Sequence, residues 1–369
     1  MTGDGTRAVH AGLPEPVPGR PFLPNPAFGA PYHLDPVAGP RLGVDGYGRT
    51  DNATWRALET AIGALEDGEC VTFASGMAAI SAVLLSVLRP GDTVVVPADG
   101  YYKTRAFASS HLTERGVTVL EVPTAGPYPA LDTVRLLLVE TPANPGLDVC
   151  DIAELAAQVH AGGGLVAVDN TTATPLGQRP LDLGADFSVA SGTKALTGHS
   201  DILLGYVCTR DPERAAALTA WRGATGAVVG PFEAWLAHRS IGTLDLRLAR
   251  QSANAAAVAE VLAAHPAVLS VRWPGRREDP AYQVASRQMR RIPGVVTFTL
   301  ADRGAAERFL EAAELVFAAT SFGGLHTSAD RRAQWGDATP EGLIRFSCGV
   351  EDTDDLVADV HRALDAIKD

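Results

Sequence analysis

The sequence predicts an α/β fold, with a mostly parallel β-sheet covered by helices on both faces and a smaller α+β domain after it. Three observations carry this reading. Short, nearly continuous apolar runs such as "TVVVP", "VRLLLVE" and "GLVAVDN" lack polar alternation, as strands buried on both faces require. Helical segments alternate with them, which is the pattern of parallel strands joined by crossover helices. After a long helical stretch at residues 231–264 the order changes to two strand-like runs, a helix, a strand and a closing helix.

Taken in order, residues 1–53 form an arm rich in Pro and Gly ("GLPEPVPGRPFLPNPAFGAP") and without periodicity. Alone it would lack order, yet Phe22, Leu23, Phe28 and Tyr32 suit packing against another surface, a second subunit included. Residues 54–240 form the larger unit. "TWRALETAIGALEDG" is an amphipathic helix ended by Gly68, "CVTFA" a short strand, and "MAAISAVLLSVL" a helix stopped by Pro90-Gly91. "TVVVP", "VTVLEV", "VRLLLVE", the helix "DIAELAAQVHA", "GLVAVDN" and "DFSVA" continue the alternation. Residues 241–369 hold the rest of a connecting helix or helix pair, then "VLSVRW", "VVTFTL", "AAERFLEAAE", "LIRFSCG" and "DTDDLVADVHRALDAI" as the smaller domain.

Composition narrows the function. Length, 369 residues, suits two or three domains, and 46% hydrophobic against 20% charged residues permits large cores. With 31 Lys+Arg against 43 Asp+Glu the formal net charge is -12, which argues against nucleic acid as the main partner. No run approaches the roughly 18 apolar residues of a membrane span, and the start has no secretory pattern. Cys70, Cys150, Cys208 and Cys348 are far apart and form no CxxC pair, so neither a zinc site nor a disulfide framework is expected. A reduced, cytoplasmic protein without metal is the simplest expectation.

The chemistry lies at strand ends. Ser75-Gly76-Met77 turns the run "CVTFA" directly into a helix, exposing N–H groups at the positive end of a helix dipole. A plain βα turn would look the same. Asp169 closes an apolar strand, where a charge is costly without a partner, although it could simply cap its own turn. Glu140 and Asn144 stand at the end of another strand. Lys194 follows "DFSVA" in "SGTKALTGHSD", flanked by Ser191 and Thr193. A single lysine is most often a solvated charge, but in α/β sheets these strand ends share one rim. Lysine, carboxylate, hydroxyls and a helix start together fit pyridoxal phosphate: Schiff-base lysine, partner for the pyridinium nitrogen, and phosphate donors.

These residues stand in stretches that resemble one family in order and over nearly the whole chain, from about Ala8 to Ala366. The stretches are "AVHAG", "YGRTDNATWRALE", "FASGMAAI", "RPGDTVVVPADGYY", "ETPANPGLDVCDI", "VAVDNTTATPLGQRPLDLGADFSVASGTKALTGHSD" and "SFGG" with "LIRFSCGVEDTDDL". The chain resembles the Cys/Met-metabolism pyridoxal-phosphate enzymes, the group of cystathionine γ-lyase, cystathionine γ-synthase and methionine γ-lyase, and most of all compact actinobacterial-type sequences called cystathionine γ-lyase. The resemblance implies a fold type I transferase with a seven-stranded large-domain sheet and a homotetramer of two catalytic dimers. Roles follow position by position. Lys194 is implied as the Schiff-base lysine and proton shuttle, Asp169 as partner of the pyridine nitrogen, and Asn144 as donor to the cofactor's 3-oxygen. Gly76 and Met77 are implied as backbone donors to the phosphate, aided by Ser191 and Thr193, and Tyr101 as the stacking ring and acid/base. Tyr47 and Arg49 are implied to reach the neighbouring subunit's cofactor phosphate, which gives the arm its purpose. Arg345 is implied to clamp the substrate carboxylate, as its planar fork suits, with Ser321 beside it.

The activity implied is γ-elimination from a sulfur amino acid, cystathionine first, giving cysteine, 2-oxobutanoate and ammonia; γ-replacement is the variant in which a thiol captures the intermediate. Three departures bear on substrate. His326 stands in "SFGGLHTS" where many members have Glu, Tyr102 and Lys103 replace small residues, and Ala53 replaces a proline. His326 is therefore expected near the distal part of the substrate, and Tyr102 and Lys103 at the site mouth, which they would narrow or charge. A specialised γ-leaving group also fits, including halide from a chlorinated amino acid such as 4-chloroallylglycine to give an alkynyl product. A non-catalytic cofactor carrier would have no need of Arg345 together with Tyr101.

Overall fold

The computed structural model describes residues 3–37, 46–335 and 338–368. Seven strands form the larger sheet: β1 (Glu69–Phe73), β2 (Thr93–Pro97), β3 (Thr118–Val122), β4 (Leu136–Glu140), β5 (Leu165–Asp169), β6 (Phe187–Ser191) and β7 (Gly205–Thr209). Their order is β1-β7-β6-β5-β4-β2-β3, and only β7 runs antiparallel to its neighbours. The mostly parallel expectation holds. β7 was not foreseen, because "YVC" after a glycine is too short to show a period.

Both faces of this sheet are covered, and alternate residues serve them. Tyr206 and Cys208 pack with Leu58, Ile62 and Leu65, while Val207 packs on the other side with Phe187, Ile80 and Leu84. Near the chain start α2 (Ala53–Glu66) and α3 (Gly76–Val87) cover the two faces, and α1 (Asp4–His10) packs on α2. Asn52 caps α2, its side chain accepting from Thr54 N–H at 2.8 Å. The left-handed residue that ends it is Asp67 (φ 61°), so the stop lies one residue before the expected Gly68.

α1 corrects the reading of the arm as wholly extended. Seven residues carry too little periodicity to announce a helix, and such a short one forms only when packed. Ala8 and Ala11 are buried, Arg7 donates to the Ala64 and Leu65 carbonyls at the end of α2, and the His238 ring bonds Ala11 O at 2.9 Å. Tertiary contact therefore holds this segment.

The second sheet contains β8 (Ser270–Arg272), β9 (Val295–Thr299), β10 (Phe317–Ala318), β11 (Ser328–Arg331) and β12 (Leu343–Ser347), in the order β10-β11-β12-β9-β8. Its core joins Phe298, Phe309 and Phe346 to Val258 and Leu262 of the helix Leu244–Ala264. The predicted connecting stretch is a helix pair, Pro231–Ile241 and Leu244–Ala264, broken at Gly242-Thr243. β10 and β11 carry no clear alternation in sequence and were missed.

Candidate active site

β1, β2, β4, β5 and β6 all point the same way, so the loops after Phe73, Pro97, Glu140, Asp169 and Ser191 meet on one rim. A cavity of about 330 Å³ opens there, and Arg345 of β12, the short helical turn Arg332–Trp335 and the segment Thr320–Phe322 close it from the side of the second sheet. Gly76, Met77, Tyr101, Asn144, Asp169, Ser191, Thr193, Lys194, Ser321 and Arg345 all line it, bringing ten predicted residues to one place.

Ser75 starts α3, its Oγ accepting from Ala78 N–H at 3.2 Å, and the first N–H groups of a helix have no carbonyl partner within it. Gly76 is required by closeness: a Cβ there would lie 2.7 Å from Ser191 Cβ. That contact presses the helix start against the end of β6. The Thr193 hydroxyl turns to the chain, donating to Leu204 O at 3.3 Å and accepting from Leu204 N at 2.9 Å.

Glu140 and Asp169 are register partners on adjacent strands, both nearly buried. Burial raises both carboxyls, and the nearby Asp169 charge helps push Glu140 up to about 8. Asp169 Oδ1 accepts from the Thr171 N–H at 3.0 Å and hydroxyl at 2.5 Å, which oppose its rise. Glu140 has a structural task that sequence reading left unassigned: it accepts from the N–H groups of Tyr101 at 2.7 Å and Asn144 at 2.8 Å, tying two site loops to β4.

Lys194 donates to Ser321 Oγ at 2.8 Å. Burial and the Arg345 charge lower its amine from 10.5 to about 8, and Asp169 acts in the opposite direction. A substantial share of such an amine is neutral near pH 7 to 8, as a nucleophile requires. Arg345, 3% exposed, reaches Asn144 Oδ1 at 3.2 Å and Ser321 O at 2.7 Å. Tyr101 is 38% exposed and meets Tyr102 edge-on with ring centroids 5.2 Å apart. Burial raises its phenol above the usual value.

Four predicted residues lie outside this cavity. His326 is exposed, sits edge-on to Phe317, and lines an adjoining cavity of about 590 Å³ that shares Thr320, Ser321 and Phe322 with the first. Lys103 is exposed, with its amine over the Tyr102 ring at 5.0 Å. Tyr47 and Arg49 stack on each other at 5.5 Å, and Arg49 donates to Gly223 O. Arg332, Trp335, Thr171 and Phe322 line the main cavity without having been foreseen. The dense charge of "ADRR" at residues 329–332 was the available signal for Arg332.

The residues present fit pyridoxal phosphate. A nearly buried Asp169 calls for a cationic partner, which a protonated pyridine nitrogen supplies, and the start of α3, whose leading N–H groups suit an anion, lines the cavity together with Ser191. Fold and cavity together define a pyridoxal-phosphate-dependent enzyme of fold type I. More narrowly, the chain belongs to the Cys/Met metabolism PLP-dependent enzyme family, whose model matches residues 38–365. A Streptomyces coelicolor protein named as a candidate cystathionine gamma-lyase is 57% identical over 98% of this chain and 94% of its own. A cystathionine gamma-synthase from Mycobacterium tuberculosis is 40% identical over 99% of this chain and 97% of its own. The crystal structure of CalE6 from Micromonospora echinospora superposes with a TM-score of 0.91 at 36% identity, covering 99% of this chain and 100% of that one; it is described as a cystathione gamma lyase, and in its apo form as a methionine gamma lyase.

Proposed function

We propose that this enzyme carries out γ-elimination on an amino acid with a leaving group on Cγ, cystathionine being the first substrate, with cysteine, 2-oxobutanoate and ammonia as products. The observation that carries the reading is the meeting of Lys194, Asp169 and Arg345 at one cavity. The 57% identity to the Streptomyces protein supports the choice of substrate. Pyridoxal phosphate, when bound, supplies an electron sink that makes the substrate's Cα proton acidic. Asp169 would hold the pyridine nitrogen, the start of α3 with Ser191 the phosphate, and Asn144 the 3-oxygen. Arg345 binds the α-carboxylate through paired N–H groups. The Lys194 amine would take the proton from Cα and, once it has given that proton up and is neutral again, take one from Cβ, after which the Cγ–sulfur bond can break. Tyr101, on the cavity wall, would return a proton to the leaving thiolate.

In this reading residues 1–53 are an arm, 54–240 the cofactor-binding unit and 241–369 the smaller unit. Tyr47 and Arg49, exposed and away from their own cavity, serve a neighbouring subunit's phosphate in a cytoplasmic homotetramer. The test is incubation of purified holoenzyme with cystathionine, homocysteine, methionine, O-acylhomoserines and γ-halo amino acids, measuring keto acid, ammonia and organic products. Release of 2-oxobutanoate and cysteine from cystathionine is expected. A yellow protein that leaves cystathionine intact and turns over a γ-halo amino acid refutes the substrate, and one that binds no cofactor refutes the mechanism.

A further inference from the structure

The carboxylate of Asp330 occupies a position that the reading above does not use. Asp330 on β11 is the register partner of Arg345 on β12, so the antiparallel pairing sets the two side chains next to each other. Both are 3% exposed. Asp330 Oδ2 accepts from Arg345 Nη2 at 3.3 Å and from Arg332 Nη1 at 2.8 Å. Gln334 Nε2 donates to Oδ1 at 2.7 Å, and Trp335 Nε1 reaches the two oxygens at 2.9 and 3.0 Å. One buried carboxylate thus draws donors from four side chains, and Arg345, Arg332 and Trp335 among them line the cavity.

We infer that Asp330 is the positioning residue of the carboxylate subsite, orienting the Arg345 guanidinium and tying it to the Arg332–Trp335 wall. The inference rests on the reading of Arg345 as the substrate's carboxylate clamp. Its physical basis is directional. A guanidinium binds a carboxylate well only when its planar fork faces it, and a long side chain held on one edge by a fixed anion loses less freedom on binding. Asn144 Oδ1 and the Ser321 carbonyl restrain the same guanidinium, but neither carries charge. Asp330 also lowers the cost of burying two arginines side by side.

The experiment compares binding to holoenzyme of 2-aminobutanoate, which has the α-carboxylate and no leaving group, with propylamine, which has the same chain without it. Asp330→Asn is expected to weaken 2-aminobutanoate roughly 10-fold or more, the scale of one hydrogen bond to a charged group, while propylamine changes little. In turnover the same variant raises KM more than it lowers kcat. Asp330→Glu, which keeps the charge, recovers part of the preference. Should Asp330→Asn not accumulate as folded holoenzyme, Trp335→Phe removes one donor that fixes the carboxylate and gives the same selective loss in smaller measure. Equal loss for both ligands, or no loss, overturns the inference. Arg345→Ala separates the two ideas: if it keeps the preference for 2-aminobutanoate, the clamp reading fails. If it loses the preference while Asp330→Asn keeps it, the role of Asp330 alone fails.

Discussion

Gly76→Ala tests the phosphate end of the site with a single methyl group. Helix propensity alone favours the change, since Ala exceeds Gly by up to about 1 kcal/mol in a helix. Packing opposes it: the new Cβ would lie 2.7 Å from Ser191 Cβ, 3.0 Å from its Cα and 3.1 Å from its Oγ. Ordinary contact begins near 3.4 Å, so α3 and β6 must separate by roughly 0.7 Å. Overpacking of this kind costs about 1–3 kcal/mol, enough to cancel the propensity gain. The larger effect is expected on the cofactor, because the same movement takes the leading N–H groups of α3 away from Ser191, with which they are proposed to hold the phosphate. Loss of one hydrogen bond to a charged group costs about 1.5–3 kcal/mol, or roughly 10- to 150-fold in affinity. Cofactor release is followed by absorbance during dialysis, and thermal unfolding of the apo protein reports the packing cost separately. Retention equal to that of the parent, in a variant of unchanged stability, would refute the argument from Gly76.

Two further expectations concern the arm and the core. Arg49→Ala is expected to weaken cofactor retention, and Lys194→Ala to abolish turnover; mixed oligomers of the two regain some activity where sites are shared between subunits, and verified mixed oligomers without activity refute the shared site. In the core, burial pushes the Glu66 carboxyl from 4.5 to about 7 against hydrogen bonds from Tyr206 and Ser188. The folded chain keeps this proton where the unfolded chain has released it. Its stabilising contribution is complete below about pH 4.5 and is lost as pH rises through about 7, with a slope of at most ~1.4 kcal/mol per pH unit. Glu66→Gln keeps an acceptor for both hydroxyls and should flatten that decline in thermal melts; parallel profiles for variant and parent count against it.

Much of the site was legible because its residues sit at ends of elements that announce themselves. β4, β5 and β6 are five-residue apolar strands, so Glu140, Asp169 and Ser191 stood out as polar closures, and Lys194 followed within three residues. Asp330, Arg332 and Trp335 did not stand out. β11 is four residues long with three of them buried, and the short helical turn after it has no apolar face to mark it. α1 was hidden for a related reason, since its seven residues depend on contacts with α2 rather than on their own pattern.

The linear order of residues was sufficient for the alternation of strands and helices, for the parallel sheet and for the cofactor, because strand periodicity and strand-end chemistry are local properties. Only the tertiary structure brought Arg345 within reach of Asn144, 201 positions away, and placed Asp330 across the ladder from it. It also set His326 in the adjoining cavity and the Lys103 amine over the ring of Tyr102, which lines the first. Register across a second sheet and burial beneath it are set by long-range packing, and the same packing lowers the Lys194 amine by desolvating it beside Arg345.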